Sequence, residues 1–150
     1  MTVRRALLLM GAAGAFGLTG PAARAVGRSE VLAAIHVIEN PRNLTRPGPC
    51  GELGAYQFRE ATWRMHSELR FVRALDRVVS DEVAVRHYEW LRRGLERAGR
   101  PATVTNIALA WNAGLHATVR GRVPEAARDY AERVANIAAD LRTERLGEAK

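Results

Sequence analysis

Three short segments carry the side chains best equipped for chemistry. The first is Ala34-Ile35-His36-Val37-Ile38-Glu39-Asn40, an apolar stretch closed by a glutamate. The second is Gly51-Glu52-Leu53-Gly54-Ala55-Tyr56-Gln57-Phe58, in which a glycine-bracketed turn ends in glutamine, and the third is Ala110-Trp111-Asn112-Ala113-Gly114. A carboxyl among apolar neighbours keeps its proton to higher pH than one in water, because desolvation disfavours the charged form. Such a group can act as a general acid and protonate a leaving oxygen. The amides of Gln57 and Asn112 each offer donors and an acceptor, and glycine lets a ligand approach the backbone closely. Taken alone, a glutamate at a helix end faces solvent more often than not. It is the combination that points to a cleft.

Helical signals dominate the elements that must position these residues. Ser29 is placed to cap a helix over residues 30–39, in which Leu32, Ile35, His36 and Glu39 share one face. Asn40-Pro41 ends it, since the residue before proline avoids helical angles. Residues 40–55 hold three prolines and three glycines and read as a loop long enough to be functional. A second helix is expected over residues 60–68, then a weaker connecting segment over 70–79. Ser80 is placed to cap a long helix to residue 98, with Val83, His87, Leu91 and Leu95 as its inner stripe. Thr103 opens a fourth helix through Ala113, stopped by Gly114 and apolar nearly all round, as a central helix is. Pro124 suits the first position of a last helix with the stripe Ala127, Tyr130, Ala131, Val134, Ile137, Ala138 and Leu141. The pattern predicts an all-α fold with a polar, frayed tail at 143–150 and neither strand nor internal repeat.

The 150-residue chain opens like an export signal. Arg4 and Arg5 precede an uncharged run over residues 6–18, and Ala23-Arg24-Ala25 fits a small-x-small cleavage site. The run is shorter than the ~20 residues of a membrane span. Residues 1–25 are therefore read as a signal peptide cleaved near Ala25, residues 26–142 as one domain and 143–150 as its tail. Three of the 23 basic residues precede Val26, so the remainder carries 20 against 16 acidic residues, a net +4. That balance suits an anionic polymer, although an arginine- and alanine-rich genome explains it equally well. No basic run is interleaved with aromatics, so nucleic acid is not expected as a partner. Cys50 is the one cysteine and cannot form an internal disulfide; in its loop it reads as structural or incidental. His36, His66, His87 and His116 lack the spacing of a helical zinc site, and no metal or cofactor is expected.

In this order the three segments resemble the signature of lytic transglycosylases and goose-type lysozymes, helical enzymes that cut peptidoglycan. Gly54-Ala55-Tyr56-Gln57 is similar to part of the family's Gly-Ala-x-Gly-x-x-Gln turn, and Ala110-Trp111-Asn112-Ala113-Gly114 to its Ala-Tyr-Asn-Ala-Gly. Asp129-Tyr130-Ala131-Glu132-Arg133-Val134 resembles its late Tyr-x-x-x-Val segment. The resemblance spans roughly residues 30–138. It implies a lysozyme-like (SLT-type) helical domain with Glu39 as catalytic acid and then base, and with Gly54, Tyr56, Gln57, Trp111, Asn112 and Tyr130 around the substrate. The implied partner is the glycan strand of peptidoglycan, met in the periplasm or outside the cell by a monomer. Two departures stand out: Trp111 replaces the usual tyrosine, and Asn40 replaces the serine that usually follows the glutamate. Glycosidases commonly need a second carboxylate, for which Glu52 is better placed than Glu60 or Asp76. None of these stands in a recognisable motif, so the one-acid transglycosylase route is the leading expectation. Hydrolysis by a goose-type lysozyme mechanism is the runner-up, and a non-catalytic wall-binding protein of the same fold is a third reading.

Overall fold

The computed structural model describes residues 26–149, and the expected signal peptide lies outside them. The described chain is all-α, with six helices: α1 (Arg28–Glu39), α2 (Glu60–Arg64), α3 (Arg77–Arg97), α4 (Val104–Ala113), α5 (Leu115–Val119) and α6 (Glu125–Glu148). A 3₁₀ turn over Phe71–Leu75 fills the segment between α2 and α3. Among the described residues the one extended pairing is an isolated bridge between Leu53 and Phe58. No helix among them is long and apolar enough to cross a membrane.

The core is built where the apolar stripes converge. Val31, Leu32, Ala34 and Ile35 of α1, Val83, Ala84, Leu91 and Leu95 of α3, and Ala131, Val134 and Ala138 of α6 are all buried. Between them lies α4, packed on α6, α3 and α5. It buries Ile107, Ala108 and Ala110 and keeps Trp111 half-buried, while Asn112 is exposed. The central helix is thus open along one edge, and that edge faces the groove described below.

Several expected boundaries move, each for a local reason. Gly27, not Ser29, caps α1. The Glu30 carboxylate reaches back to the Gly27 N–H at 3.0 Å and accepts from the Ser29 hydroxyl at 3.1 Å, so the serine serves the glutamate rather than the helix end. Helix α2 stops at Arg64 instead of 68 because the indole of fully buried Trp63 donates to the Leu69 carbonyl at 2.8 Å and pulls the chain into a turn. Helix α3 begins at Arg77 because Asp76 caps it, accepting from the N–H groups of Val78 and Val79. Ser80, expected as the cap, is buried inside the helix. Pro124 precedes α6 as its cap rather than opening it. Gly114 ends α4 with φ +89° and at once starts α5, which the sequence pattern does not signal.

The expected frayed tail is also corrected, since α6 runs on to Glu148. Its last turns have a partner in buried Glu30, which pairs with Arg145 at 2.8 Å and with Arg142 at 3.5 Å. Burial works against the Glu30 charge. The hydrogen bonds from its own N–H, Ser29 and Gly27, with the charge of Arg145, outweigh it and hold the pKa below the ordinary 4.5. The folded protein therefore holds this carboxylate in its charged form more tightly than the unfolded chain does. The resulting stability is complete above the unfolded value and fades as pH falls through the depressed folded value. Glu30→Gln is expected to lower the unfolding free energy by about 2 kcal/mol at pH 7. Urea denaturation should show that difference shrinking once the pH is taken below 4.5.

Candidate functional site

The long loop between α1 and α2 folds back on the end of α1, and one carbonyl oxygen organises it. The oxygen of Gly54 accepts from the Asn40 side-chain amide at 3.1 Å, from the Gln57 side-chain amide at 2.9 Å and from the Gln57 backbone N–H at 3.2 Å. Asn40 is buried and also clamps Leu44, donating to its carbonyl at 2.9 Å and accepting from its N–H at 2.8 Å. Leu53 and Phe58 exchange both backbone hydrogen bonds at 3.0 Å and close the turn. Gly54 takes φ +79°, and a Cβ there would collide with the Ala74 carbonyl, so only glycine fits. Gln57 adopts φ +46°, an uncommon conformation for a residue with a side chain.

This knot sets Glu39 at the junction of two cavities. One, of about 590 Å³, is walled by Tyr56, Phe58, His87 and Trp111, with Glu52, Arg59 and Asn112 on its rim. The other, of about 490 Å³, is walled by Asn40, Leu44, Arg46, Pro47 and Gly48. Glu39, Pro49 and Gln57 line both, so the two form arms of one groove with the glutamate between them. The aromatic arm is continuous: Tyr56 and Phe58 ring centroids are 5.8 Å apart, and Phe58 and Trp111 also 5.8 Å.

Glu39 is partly buried and accepts a hydrogen bond from the Tyr130 hydroxyl at 2.8 Å. Burial raises its pKa above the ordinary carboxylate value, Tyr130 pulls the other way, and the negative charge of Glu52 adds to the rise. Burial, and then the Glu39 charge, push the Tyr130 phenol far above its usual range, so it acts as a donor. Glu52 is the reverse case. Its own backbone N–H and that of Cys50, at 2.8 Å, hold its pKa down, with Arg59 at 3.4 Å assisting. One groove thus holds a carboxyl biased toward its acid form and another biased toward its charged form.

The expected site residues divide by role. Glu39, Glu52, Tyr56, Gln57, Trp111 and Asn112 line the groove together. Tyr56 offers it only a ring, because its hydroxyl donates to Asp81 at 2.6 Å. Gly54 is buried and bounds neither cavity; its part is the turn. Tyr130 also lines neither and acts through Glu39. Cys50, read as structural or incidental, is exposed on the groove wall. Phe58, which closes the second segment, Arg59 and His87 are groove residues to which the motifs assign no role. Phe58 and Arg59 directly follow Gln57, whereas His87 is legible only as part of the α3 stripe. No group of three or more histidine, cysteine, aspartate or glutamate side chains is placed to hold a metal among the described residues. No family model, curated protein or solved structure matches the chain.

Two outcomes test this geometry. Tyr130→Phe removes the donor that favours the charged form, so the Glu39 pKa should rise further; a ¹³C-carboxyl NMR titration reads it, and an unchanged or lowered value contradicts the arrangement. Gly54→Ala should destabilise the fold by about 3 kcal/mol or more, from the forced φ and the clash. Chemical denaturation against an alanine substitution at the exposed, unstrained Gly147 provides the comparison.

Proposed function

We propose that the protein is a lysozyme-like enzyme that cleaves the glycan strands of peptidoglycan, by the lytic transglycosylase route, with Glu39 as the acid. The observation that carries this reading is the setting of Glu39. It is a partly buried carboxyl with a raised pKa, between the two arms of a groove that is aromatic on one side. An acid so placed can protonate an oxygen bridging sugars that lie in the two arms. An exposed Glu39, or one paired with an arginine, would instead suit a non-catalytic wall-binding protein; a partly buried Glu39 whose partner among the described residues is Tyr130 supports the enzymatic reading.

The steps are those that the resemblance implies, with Glu39 placed as the groove has it. Glu39 gives its proton to the oxygen between N-acetylmuramic acid and N-acetylglucosamine, and the bond from the muramyl C1 breaks. The muramyl N-acetyl group supports the positive charge that develops at C1. Glu39, now a carboxylate, takes the proton of the muramyl 6-hydroxyl as that oxygen bonds C1, giving a 1,6-anhydro end. The Tyr130 hydrogen bond steadies the carboxylate between the two transfers, and Gln57 and Asn112 offer amides to the sugars. Export through the amino-terminal segment would bring the enzyme to this substrate.

Hydrolysis is the second reading, and Glu52 favours it. A charged carboxylate on the same wall, electrostatically coupled to Glu39, resembles the two-carboxylate arrangement of glycosidases. Against it, a lowered pKa makes Glu52 a weak base for activating water. Its charge instead suits stabilising the cation that forms at C1.

Mass spectrometry of purified peptidoglycan incubated with the protein separates these readings. Anhydro-muropeptides are the expected product, and Glu39→Gln should reduce their formation by about 10²–10⁴-fold. Glu52→Gln should lower the rate without changing the product. Reducing-end products that disappear in Glu52→Gln would establish hydrolysis, and no cleavage by folded wild-type protein would overturn the enzymatic reading.

A further inference from the structure

His87 brings a polar group to the aromatic arm that the chemistry above does not use. It projects from the middle of α3, is 7% exposed, and forms part of the cavity wall. Aromatic rings fix the imidazole: it stacks on Trp90 at 5.9 Å with an interplanar angle of 14°, and meets Trp111 edge-on at 4.7 Å. Its Nδ1 lies 2.9 Å from Nε2 of His66, so one nitrogen is committed. Nε2 has no hydrogen-bond partner among the described residues, which leaves it the ring nitrogen that His87, as a wall residue, can offer a ligand.

A neutral imidazole carries one donor and one acceptor, and a hydrogen bond made by one nitrogen decides what the other offers. Burial, reinforced by His66, pushes the His87 pKa down to about 3, and burial also lowers that of His66. At neutral pH the imidazole in the cavity wall is therefore uncharged. An imidazolium would draw a carboxylate; a neutral ring beside Trp111 suits an uncharged hydroxyl or acetamido group on a sugar whose apolar face rests on the aromatics. Each arm carries one arginine, Arg46 in the opposite arm and Arg59, paired with Glu52, in this one; only this arm has aromatic rings on which the apolar face of a sugar can rest.

We infer that His87 is a sugar-reading residue of the aromatic arm, hydrogen-bonding a hydroxyl or acetamido group of a neutral N-acetylated sugar through Nε2. His66 is its positioning residue and sets which nitrogen carries the proton. The inference rests on the reading of the groove as a glycan site.

The test uses the Glu39→Gln protein, so that ligand is not consumed, and the N-acetylglucosamine tetramer as probe. Calorimetry should show binding, and His87→Phe, which keeps the ring but not the nitrogens, should weaken it about tenfold. His87→Gln should recover part of the loss. In ¹⁵N-detected imidazole spectra of protein with His87 intact, the tetramer should shift Nε2 of His87, and His66→Phe should change the tautomer signature of His87 before ligand is added. Equal affinity in His87→Phe, or unmoved His87 nitrogens on saturation, overturns the inference even if peptidoglycan is cleaved. Tetramer binding through His87 without cleavage of peptidoglycan by the wild type overturns the catalytic reading alone. No binding by a folded Glu39→Gln protein overturns the inference itself.

Discussion

The carbonyl oxygen of Gly54 is the point on which the groove hangs. Three donors converge on it, one from Asn40 at the end of α1 and two from Gln57 at the end of the turn. A loop of this length has many conformations to lose, and ordering each residue costs about 1–2 kcal/mol. Fastening its two ends to one oxygen removes most of that freedom and fixes Glu39, the neighbour of Asn40, against Gln57. The strained φ of Gln57 and the crowded glycine at 54 are held in place by the same knot.

A second constraint acts on α1 as a whole, because α6 grips it at both ends. At the amino end Glu30 pairs with Arg145 and Arg142; at the carboxyl end Glu39 receives the Tyr130 hydroxyl. The two helices run antiparallel, so residues late in α6 meet the start of α1 and residues early in α6 meet its end. The two contacts join opposite electrostatic outcomes on one helix. Glu30 has enough hydrogen bonds and positive charge to offset its burial and keep its charge, whereas Glu39 has a single neutral donor and a nearby carboxylate. The structural glutamate and the candidate acid differ in how many partners each was given, more than in depth alone.

Much of this was legible in the sequence, and what was not has physical causes. Helical periodicity located α1, α3, α4 and α6, since burial of one face leaves a pattern that survives without tertiary information. Glu39, Gln57, Trp111 and Asn112, singled out in three separate segments, line one cavity. Starts and stops were less secure, because Asp76 and Ser80 are both sound caps and only the packing of Ser80 into the core decides between them. The end of α2 depends on an indole hydrogen bond to Leu69, and the length of α6 on ion pairs to a residue more than 110 positions earlier. Neither leaves a local trace. His87 was legible as an apolar-stripe residue, yet its opening onto the groove depends on where α4 and the turn come to rest.

Asn40 divides its polar groups in a way that bears on the glutamate beside it. A serine hydroxyl at that position offers one donor and one small acceptor site, and the asparagine amide reaches further with two donors and a carbonyl. Here the amide nitrogen spans Leu44 and Gly54 while its oxygen takes the Leu44 N–H. Both side-chain donors go into the loop, so neither is left to solvate Glu39 next door. That division keeps the glutamate short of donors, and a shortage of donors favours the protonated form of a carboxyl. The residue that pins the groove thus also withholds stabilisation from the charged form of the acid inside it.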